Sequence, residues 1–505
     1  MAVLIRNARV LTMDDHETEL DRADILVEGS KIAAIGRDLR VPNSAPLRII
    51  DASYRLAMPG LINGHFHSPG NFMKGFGFDQ PLELYMLFEV PPISSEPASK
   101  RLNYVRTMVG VMEMIRNGTT SVYDDTNYNP YPTMDAIDGT MEAYRDAGFR
   151  ATVTLSNPNV IEYDKFPFLK DLLPAHLRRA MEERPNYLST GEMVQLYRSF
   201  LDRWHGQNGN RLHVGMSISA PQRVTRDYFQ ALMDLSLQRD LAFSLHILET
   251  KTQRVLGEEN YGKSLIRYVS DLGFLNDKMT VIHSIWVDEM DMRAMAASGC
   301  SVAHNPVCNL KIGSGIMPFR RLRDHGINIC LGADEMGADD SCNMWGVVKQ
   351  AGLIHRISQP DYNLWPSAQE LLWCLTRGGA RAMNRARDIG AIAPGYEADI
   401  ILVDLETIPF TPLNDLRRQL VYCETGSSVV MTMIGGQVVY ENGRIETIDE
   451  KAILAEAREL IGEYRAEVTR AGAAARELEP YYREMYFRAA ARDVGLNRWA
   501  GPMVP

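Results

Sequence analysis

No two cysteines of the chain stand in a Cys-x-x-Cys pair, and the six present (Cys300, Cys308, Cys330, Cys342, Cys374 and Cys423) all lie in the C-terminal half. A disulfide framework does not suit so large a chain, and a reducing cytoplasm fits this cysteine usage. No long run of Lys or Arg occurs and the formal net charge is −10, so the basic footprint of a nucleic-acid-binding protein is missing. No apolar run is long enough to cross a bilayer. The segment Met1–Arg6 lacks an apolar core followed by a small-residue cleavage site, so no secretory leader is expected. Internal repeats and low-complexity stretches are also absent. The expectation is a soluble cytoplasmic protein without nucleic-acid or membrane partners.

What is present is ordinary for a globular protein: 505 residues, 45% hydrophobic and 23% charged. That length supports a sizeable core and one large domain with a smaller companion. Short strand-like runs fill the first 55 residues, among them Val3 to Thr12, Ile25 to Val27 and Ile32 to Ile35. The same texture returns at Ala398 to Val403, Val429 to Ile434 and Val438 to Tyr440. Both ends can therefore pair into one small sheet domain (1–55 plus 391–450), or form two separate caps.

Between them, over 56–390, apolar runs alternate with helical stretches. The runs are Thr119 to Tyr123, Ala151 to Leu155, His213 to Ile218, Ala242 to Leu245, Met279 to Ile282, Cys300 to Ala303 and Ile327 to Leu331. The helical stretches include Arg101 to Arg116, Arg226 to Gln238 and Ser264 to Leu272. About eight such units predict an α/β fold with a parallel (β/α)8 barrel. Residues 160–210, with helical pieces at His176 to Glu183 and Gly191 to Trp204, read as an insertion over the barrel mouth or at a subunit contact. The tail 451–505 reads as a helical extension, with Glu450 to Ala475 as an exposed helix.

Four strand ends carry chemistry. Gly64-His65-Phe66-His67 follows an apolar run, and residues two apart in a strand share a side, so His65 and His67 can face one metal. Alone, the pair is equally two surface histidines. Ser244-Leu245-His246 delivers a histidine at a strand end with Glu249 three residues on; Val281-Ile282-His283 repeats the pattern; Ile329 to Asp334 ends on a carboxylate. Singly, His246 or His283 reads as a core histidine and Asp334 as a helix N-cap. The coincidence of four strand ends in chain order favours a shared site, because barrel strands converge on one mouth. Three imidazoles and a carboxylate suit a zinc or iron ion that keeps an open water position.

Together with Met58-Pro59-Gly60-Leu61-Ile62-Asn63-Gly64-His65-Phe66-His67, the motifs Asn117-Gly118-Thr119-Thr120, His304-Asn305-Pro306, Asn309-Leu310-Lys311, Leu331-Gly332-Ala333-Asp334 and Gly395-Tyr396-Glu397-Ala398-Asp399 resemble the amidohydrolase superfamily. The likeness is to its branch of cytosine, guanine and adenosylhomocysteine deaminases and s-triazine hydrolases. It runs over about residues 1–445. It implies a TIM-like barrel with a β-sandwich built from both termini, and one divalent metal, zinc or alternatively iron, held by His65, His67, His246 and Asp334. It further implies Glu249 as proton shuttle, His283 beside the activated water, and His304 with Asn309 at the substrate. The lysine that bridges two ions in other members has no counterpart in Gly215 to Pro221, which implies a single metal. A homo-oligomer is implied as well, with Tyr481 to Arg492 as a candidate contact.

The chain departs from the family after Asp334, in Glu335-Met336-Gly337-Ala338-Asp339-Asp340. These extra carboxylates fit either a substrate with amino or cationic groups, Glu335 contacting it, or a solvated loop. Phe72, Phe76, Phe78, Tyr85 and Phe88 in Gly70 to Pro92 line an aromatic substrate pocket or pack a helix. The reaction expected is conversion of an amino-substituted nitrogen heterocycle to its oxo product with release of ammonia. Loss of chloride or alkylamine from a triazine, cleavage of a urea or cyclic amide, and a non-catalytic binding role are the alternatives.

Overall fold

A computed structural model describes residues 2–40, 46–75, 79–90, 92, 97–183 and 187–501. Phe76 and Phe78 of the aromatic loop lie outside them.

Both ends of the chain build one mixed sheet. Its N-terminal members are β1 (Ala2–Leu11), β2 (Glu19–Glu28), β3 (Lys31–Gly36), β4 (Leu47–Asp51) and β5 (Arg55–Pro59). The middle of the chain adds β6 (Leu61–Phe66), β7 (Thr119–Thr126), β8 (Arg150–Leu155), β9 (Leu212–Val214), β10 (Met216–Ser217), β11 (Phe243–Ile247), β12 (Met279–His283), β13 (Ser301–His304) and β14 (Asn328–Leu331). The C-terminal strands β15 (Ile400–Asp404), β16 (Val429–Ile434), β17 (Gln437–Glu441) and β18 (Arg444–Ile445) return to the first sheet. Its order is β18-β17-β16-β15-β5-β1-β2-β3, with β4 beside β1. The ends join where β5 runs antiparallel to β15, Ala57 opposite Leu402.

The middle strands form two parallel sheets, β6-β7-β8-β9 and β10-β11-β12-β13-β14. Strands β6, β7, β8 and β11 to β14 are buried along their whole length, as parallel strands covered by helices must be. The sheets approach each other at both seams. Gly215 N–H donates to Val153 O on one side and Met216 N–H to Ala242 O on the other, at 2.9 and 2.8 Å. Between β14 and β6, Asp334 N–H donates to His65 O at 3.0 Å and His67 N–H to Asp334 O at 3.3 Å. Gly215 separates β9 from β10 because a side chain there would stand 2.8 Å from Thr154 Cγ2 and 3.1 Å from Ala242 O. Gly60 marks the crossing from β5 to β6, where a Cβ would meet the Thr120 side chain at 2.2 Å.

The terminal helix runs from Glu450 to Ala491, further than the sequence suggests, and its second half buries one face. Leu478, Tyr482, Met485 and Ala489, spaced four, three and four residues apart, form one buried stripe. Three of them pack against Leu84, Leu87 and Phe88 and against Tyr163, Leu169 and Leu177 of the insertion. Much of Tyr481 to Arg492 is thus turned onto its own chain, while Phe487 is exposed. The rest of the insertion is a crossover between the parallel strands β8 and β9: the Thr190–Trp204 helix puts Tyr197 Oη against Leu155 and Ser217. No helix among the described residues is long and apolar enough to cross a membrane.

A buried ion cluster fastens the terminal sheet to the parallel strands. Arg150, at the start of β8, donates Nε to Asp399 Oδ2 at 2.7 Å and Nη2 to Asp399 Oδ1 and Glu397 Oε2 at 3.0 and 3.3 Å. Removing one partner of such a group leaves unpaired buried charge, at a cost of about 3–5 kcal/mol. Arg150→Ala is therefore expected to lower stability to unfolding by about that amount, read from urea midpoints at constant slope.

Candidate active site

Three imidazoles converge at the ends of β6 and β11. Each histidine whose ring partner is resolved presents Nε2 to the centre because its other nitrogen is occupied by a backbone carbonyl. His246 Nδ1 lies 2.9 Å from Ser219 O, and His67 Nδ1 lies against Asp125 O. The two Nε2 atoms then face each other at 3.2 Å. His65 Nε2 is buried and has no hydrogen-bond partner among the described residues. Asp334 Oδ1 stands 3.6 Å from both His65 Nε2 and His67 Nε2.

Ligand atoms of His65, His67, Asp125 and His246 all lie within 4.8 Å of one another, as do those of His65, His283 and Asp334. Buried lone pairs aimed at a common point, with second nitrogens held by carbonyls, are the donor arrangement a divalent metal requires. The residues fit such an ion. Burial, with His65 and His67 adding to it, holds His246 well below the usual imidazole range, hence in the neutral form that ligates. Burial alone would raise Asp334, yet the surrounding histidines hold its carboxyl well below the usual range.

On the open side of this set stand His283 and Glu249. His283 Nε2 is 3.6 Å from Glu249 Oε1 and 3.6 Å from Asp334 Oδ2. Asn309 Oδ1 lies 2.9 Å from His283 Nδ1, and Asn305 Nδ2 lies between His283 Nδ1 and Asp334 Oδ2 at 3.3 Å from each. Asn309 therefore touches the site through His283. Burial, reinforced by Asp334, pushes the Glu249 carboxyl well above the ordinary range, which favours its protonated form. Burial pushes His283 down to about 4, against the pull of Asp334.

The backbone at these strand ends is strained. Ser219, Leu248, His283, Ser284 and Asp334 have φ of 64, 51, 68, 48 and 65°. Non-glycine residues adopt this left-handed region at a cost of about 1–2 kcal/mol each. The gain is direction. On β12 the pleat would send His283 to the same side as Val281, into the helix-facing core; the left-handed turn brings it to the mouth.

A cleft of about 1040 Å³, open to solvent, lies above the cluster and includes His67, His246, Glu249, His283 and Asp334 in its lining. One wall is the helix Leu82–Glu89, which offers Leu82, Tyr85, Met86 and Glu89 to the cleft and its opposite face to the terminal helix. The insertion contributes Glu162, Lys165 and Phe166. Arg223 lies deeper. Two other buried arginines are saturated with carboxylates: Arg150 as above, and Arg254 with Glu258, Asp288 and Asp291. Arg223 forms no ion pair among the described residues; it donates to Ser219 Oγ at 3.3 Å and rests on Met86 Sδ at 3.1 Å.

Two expected substrate contacts lie elsewhere. His304 turns its Nε2 to His355 Nε2 at 3.0 Å, behind the cleft wall. On β13 it shares the side of Val302, while Ala303 packs inward with Ile282 and Cys330. Phe72 meets Tyr464 edge to face, with centroids 5.9 Å apart, and takes no part in the cleft lining. Glu335 does line the cleft, but its Oε1 accepts from Tyr85 Oη, and burial together with Glu89 pushes its carboxyl well above the usual range. Asp339 is pushed up by burial, and the exposed Asp340 pairs with Lys311 at 2.5 Å, so the loop after Asp334 is solvated only at its end and is not a free anionic patch.

Sequence reading missed Asp125 and Arg223. Asp125 sits on the same side of β7 as Tyr123, accepts from Thr154 Oγ1 and Ser244 Oγ, and leaves Oδ2 without a hydrogen bond. Its neighbour Asp124 points the other way, to Tyr144 and Ser68. Strand parity distinguishes the two carboxylates.

Residues 56–439 match the model of the amidohydrolase family. The chain belongs to that family. It is 27% identical over 466 residues to 5′-deoxyadenosine deaminase of Methanosarcina mazei, covering 92% of this chain and 99% of the relative. It is 28% identical over 439 residues to 5-methylthioadenosine/S-adenosylhomocysteine deaminase of Thermococcus kodakarensis, covering 87% and 94%. Among solved structures it resembles atrazine chlorohydrolase of Arthrobacter aurescens complexed with zinc, with a TM-score of 0.79, 25% identity, and 91% and 100% of the two chains covered. Asp125→Asn is expected to weaken zinc affinity about 10–100-fold, as loss of an outer-shell partner does. Competition with a chromogenic chelator reads this, and unchanged affinity would remove Asp125 from the site.

Proposed function

We propose that the chain is a mononuclear, zinc-dependent aminohydrolase that converts an amino-substituted nitrogen heterocycle, an adenosine-like nucleoside foremost, to its oxo product and ammonia. The observation that carries this reading is Glu249: a carboxyl buried beside a metal-type donor set, 3.6 Å from His283, and pushed well above the ordinary range by burial and by Asp334. A ring amidine has a poor leaving group and a basic ring nitrogen, so it needs a proton donor at that place. The named activities of the relatives from Methanosarcina and Thermococcus support the same class.

In this reading His65, His67, His246 and Asp334 hold the ion, which when bound supplies a water acidified toward neutrality. Glu249 gives its proton to the ring nitrogen as charge develops there, and later carries a proton to the departing ammonia. Asn309 fixes His283 with Nδ1 as donor, leaving Nε2 to accept a proton or bond at the attacked carbon. Asp334, held ionised, orients the attacking water and takes its proton. Arg223 offers the cleft's unpaired donors to an acceptor atom of the substrate, and the Leu82–Glu89 face closes the other side. The two parallel sheets are taken as one eight-stranded barrel, with the sheet of 1–55 and 391–450 and the extension 451–505 packed around it.

Glu249→Gln is expected to lower kcat for ammonia release by about 10²–10⁴-fold while zinc content stays at wild-type level. The assay covers adenosine-type nucleosides first, then amino-pyrimidines and amino-triazines. Unchanged turnover in the variant would dismiss Glu249 as the shuttle. Chloride release from a chlorotriazine by the wild type, without ammonia release from any panel member, would overturn the aminohydrolase reading in favour of the activity named for the Arthrobacter structure.

A further inference from the structure

The family match ends at residue 439, yet the chain's last described residues return to the active-site side of the parallel strands. Beyond the terminal helix, Arg498 inserts its guanidinium under the turn that follows His283. Its Nε donates to Ile285 O at 2.9 Å and its Nη2 to Val287 O at 2.6 Å. Its own carbonyl accepts from Ile316 N–H at 2.7 Å. Trp499 donates Nε1 to Gly313 O at 3.1 Å and stands edge-on to the fully buried Trp286, with centroids 5.1 Å apart. Gly315 makes room for this approach, since a Cβ there would lie 2.9 Å from Arg498 O.

The same terminal region grips the neighbouring loop. Lys251, two residues after Glu249, donates Nζ to Ala490 O at 2.6 Å and lies 5.3 Å from the Trp499 ring centroid. Ala490 is in the last turn of the helix, where carbonyls lack helical partners. The two loops are also tied to each other, with Ile285 and Trp286 N–H both donating to Leu248 O at 3.0 and 2.9 Å. His283, Ser284 and Leu248 are the left-handed residues of these loops, so their backbone holds its conformation only where the surroundings over-determine it.

We infer that Arg498 and Trp499 are positioning residues for the reaction, a C-terminal clamp that fixes the His283 turn relative to Glu249. This rests on the catalytic reading of His283 and Glu249. A misplacement of about 1 Å in such a constellation can cost about a hundredfold in rate. A clamp of this kind acts on kcat and leaves both metal retention and substrate affinity in place, because the ion's ligands sit on other strand ends.

The test uses the full-length zinc enzyme with Arg498→Ala, Arg498→Lys and Trp499→Phe, the last removing one donor while keeping the ring. Expected for Arg498→Ala is a fall in kcat of about 10–100-fold with KM and zinc content unchanged. Amide exchange at Ser284, Ile285 and Trp286 should quicken in parallel. Arg498→Lys, able to serve one carbonyl, and Trp499→Phe should fall between it and wild type on both readouts. Unchanged protection of those amides in Arg498→Ala and Trp499→Phe overturns the clamp. So does faster exchange with kcat undiminished. Should no substrate be turned over even by wild type, the deaminase reading fails separately, while the exchange pattern still decides whether these residues hold the turn.

Discussion

The site depends on the hydrogen bonds that occupy the outer nitrogens of its histidines. A neutral imidazole has one lone pair and one N–H, and whichever nitrogen donates leaves the other free to bind. Carbonyls of Ser219 and Asp125 take the outer nitrogens of His246 and His67, and Asn309 does the same for His283. Ser219 is itself left-handed, so the carbonyl that orients His246 is delivered by a strained residue. The inward nitrogens of His67 and His246 are thus fixed by backbone carbonyls one strand away.

The cleft is assembled from parts remote in sequence. The Leu82–Glu89 helix supplies one face, the insertion another, and neither would hold its position alone. They meet over Leu478, Tyr482 and Met485 of the terminal helix. One apolar cluster thereby links the substrate wall to the segment that ends in Arg498. The polar floor differs: Arg150 and Arg254 are met by carboxylates, whereas Arg223, in the cleft lining, pairs with none among the described residues.

Much of this was legible beforehand because it is local. Each of the seven apolar runs contains or overlaps a strand, with one broken at Gly215 by a close approach that only tertiary packing reveals. His65, His67, His246 and Asp334 announced themselves as polar residues ending apolar runs, and Glu249 by its distance from His246. His304 carried the same local signature, yet strand parity turns it to His355, while a left-handed backbone overrides parity for His283. Asp125 and Arg223 depend on partners far away in sequence, so composition and periodicity could not single them out. Glu450 to Ala475 reads as an exposed helix because it is rich in Ala, Glu and Arg, and the buried stripe begins at its end, with Ala475.

The pairing of β5 with β15 also constrains how the protein is made. During synthesis β5 emerges early, but its antiparallel neighbour appears only after the whole span from Gly60 to Asp399 has left the ribosome. Until then one flank of the N-terminal sheet is an open edge, the kind of surface that recruits foreign strands. Arg150 waits for Asp399 over the later part of that interval, 249 residues. A nascent chain of this architecture therefore carries an unsealed sheet edge until β15 emerges, and the arrival of Asp399 with β15 completes the edge and the Arg150 pair together.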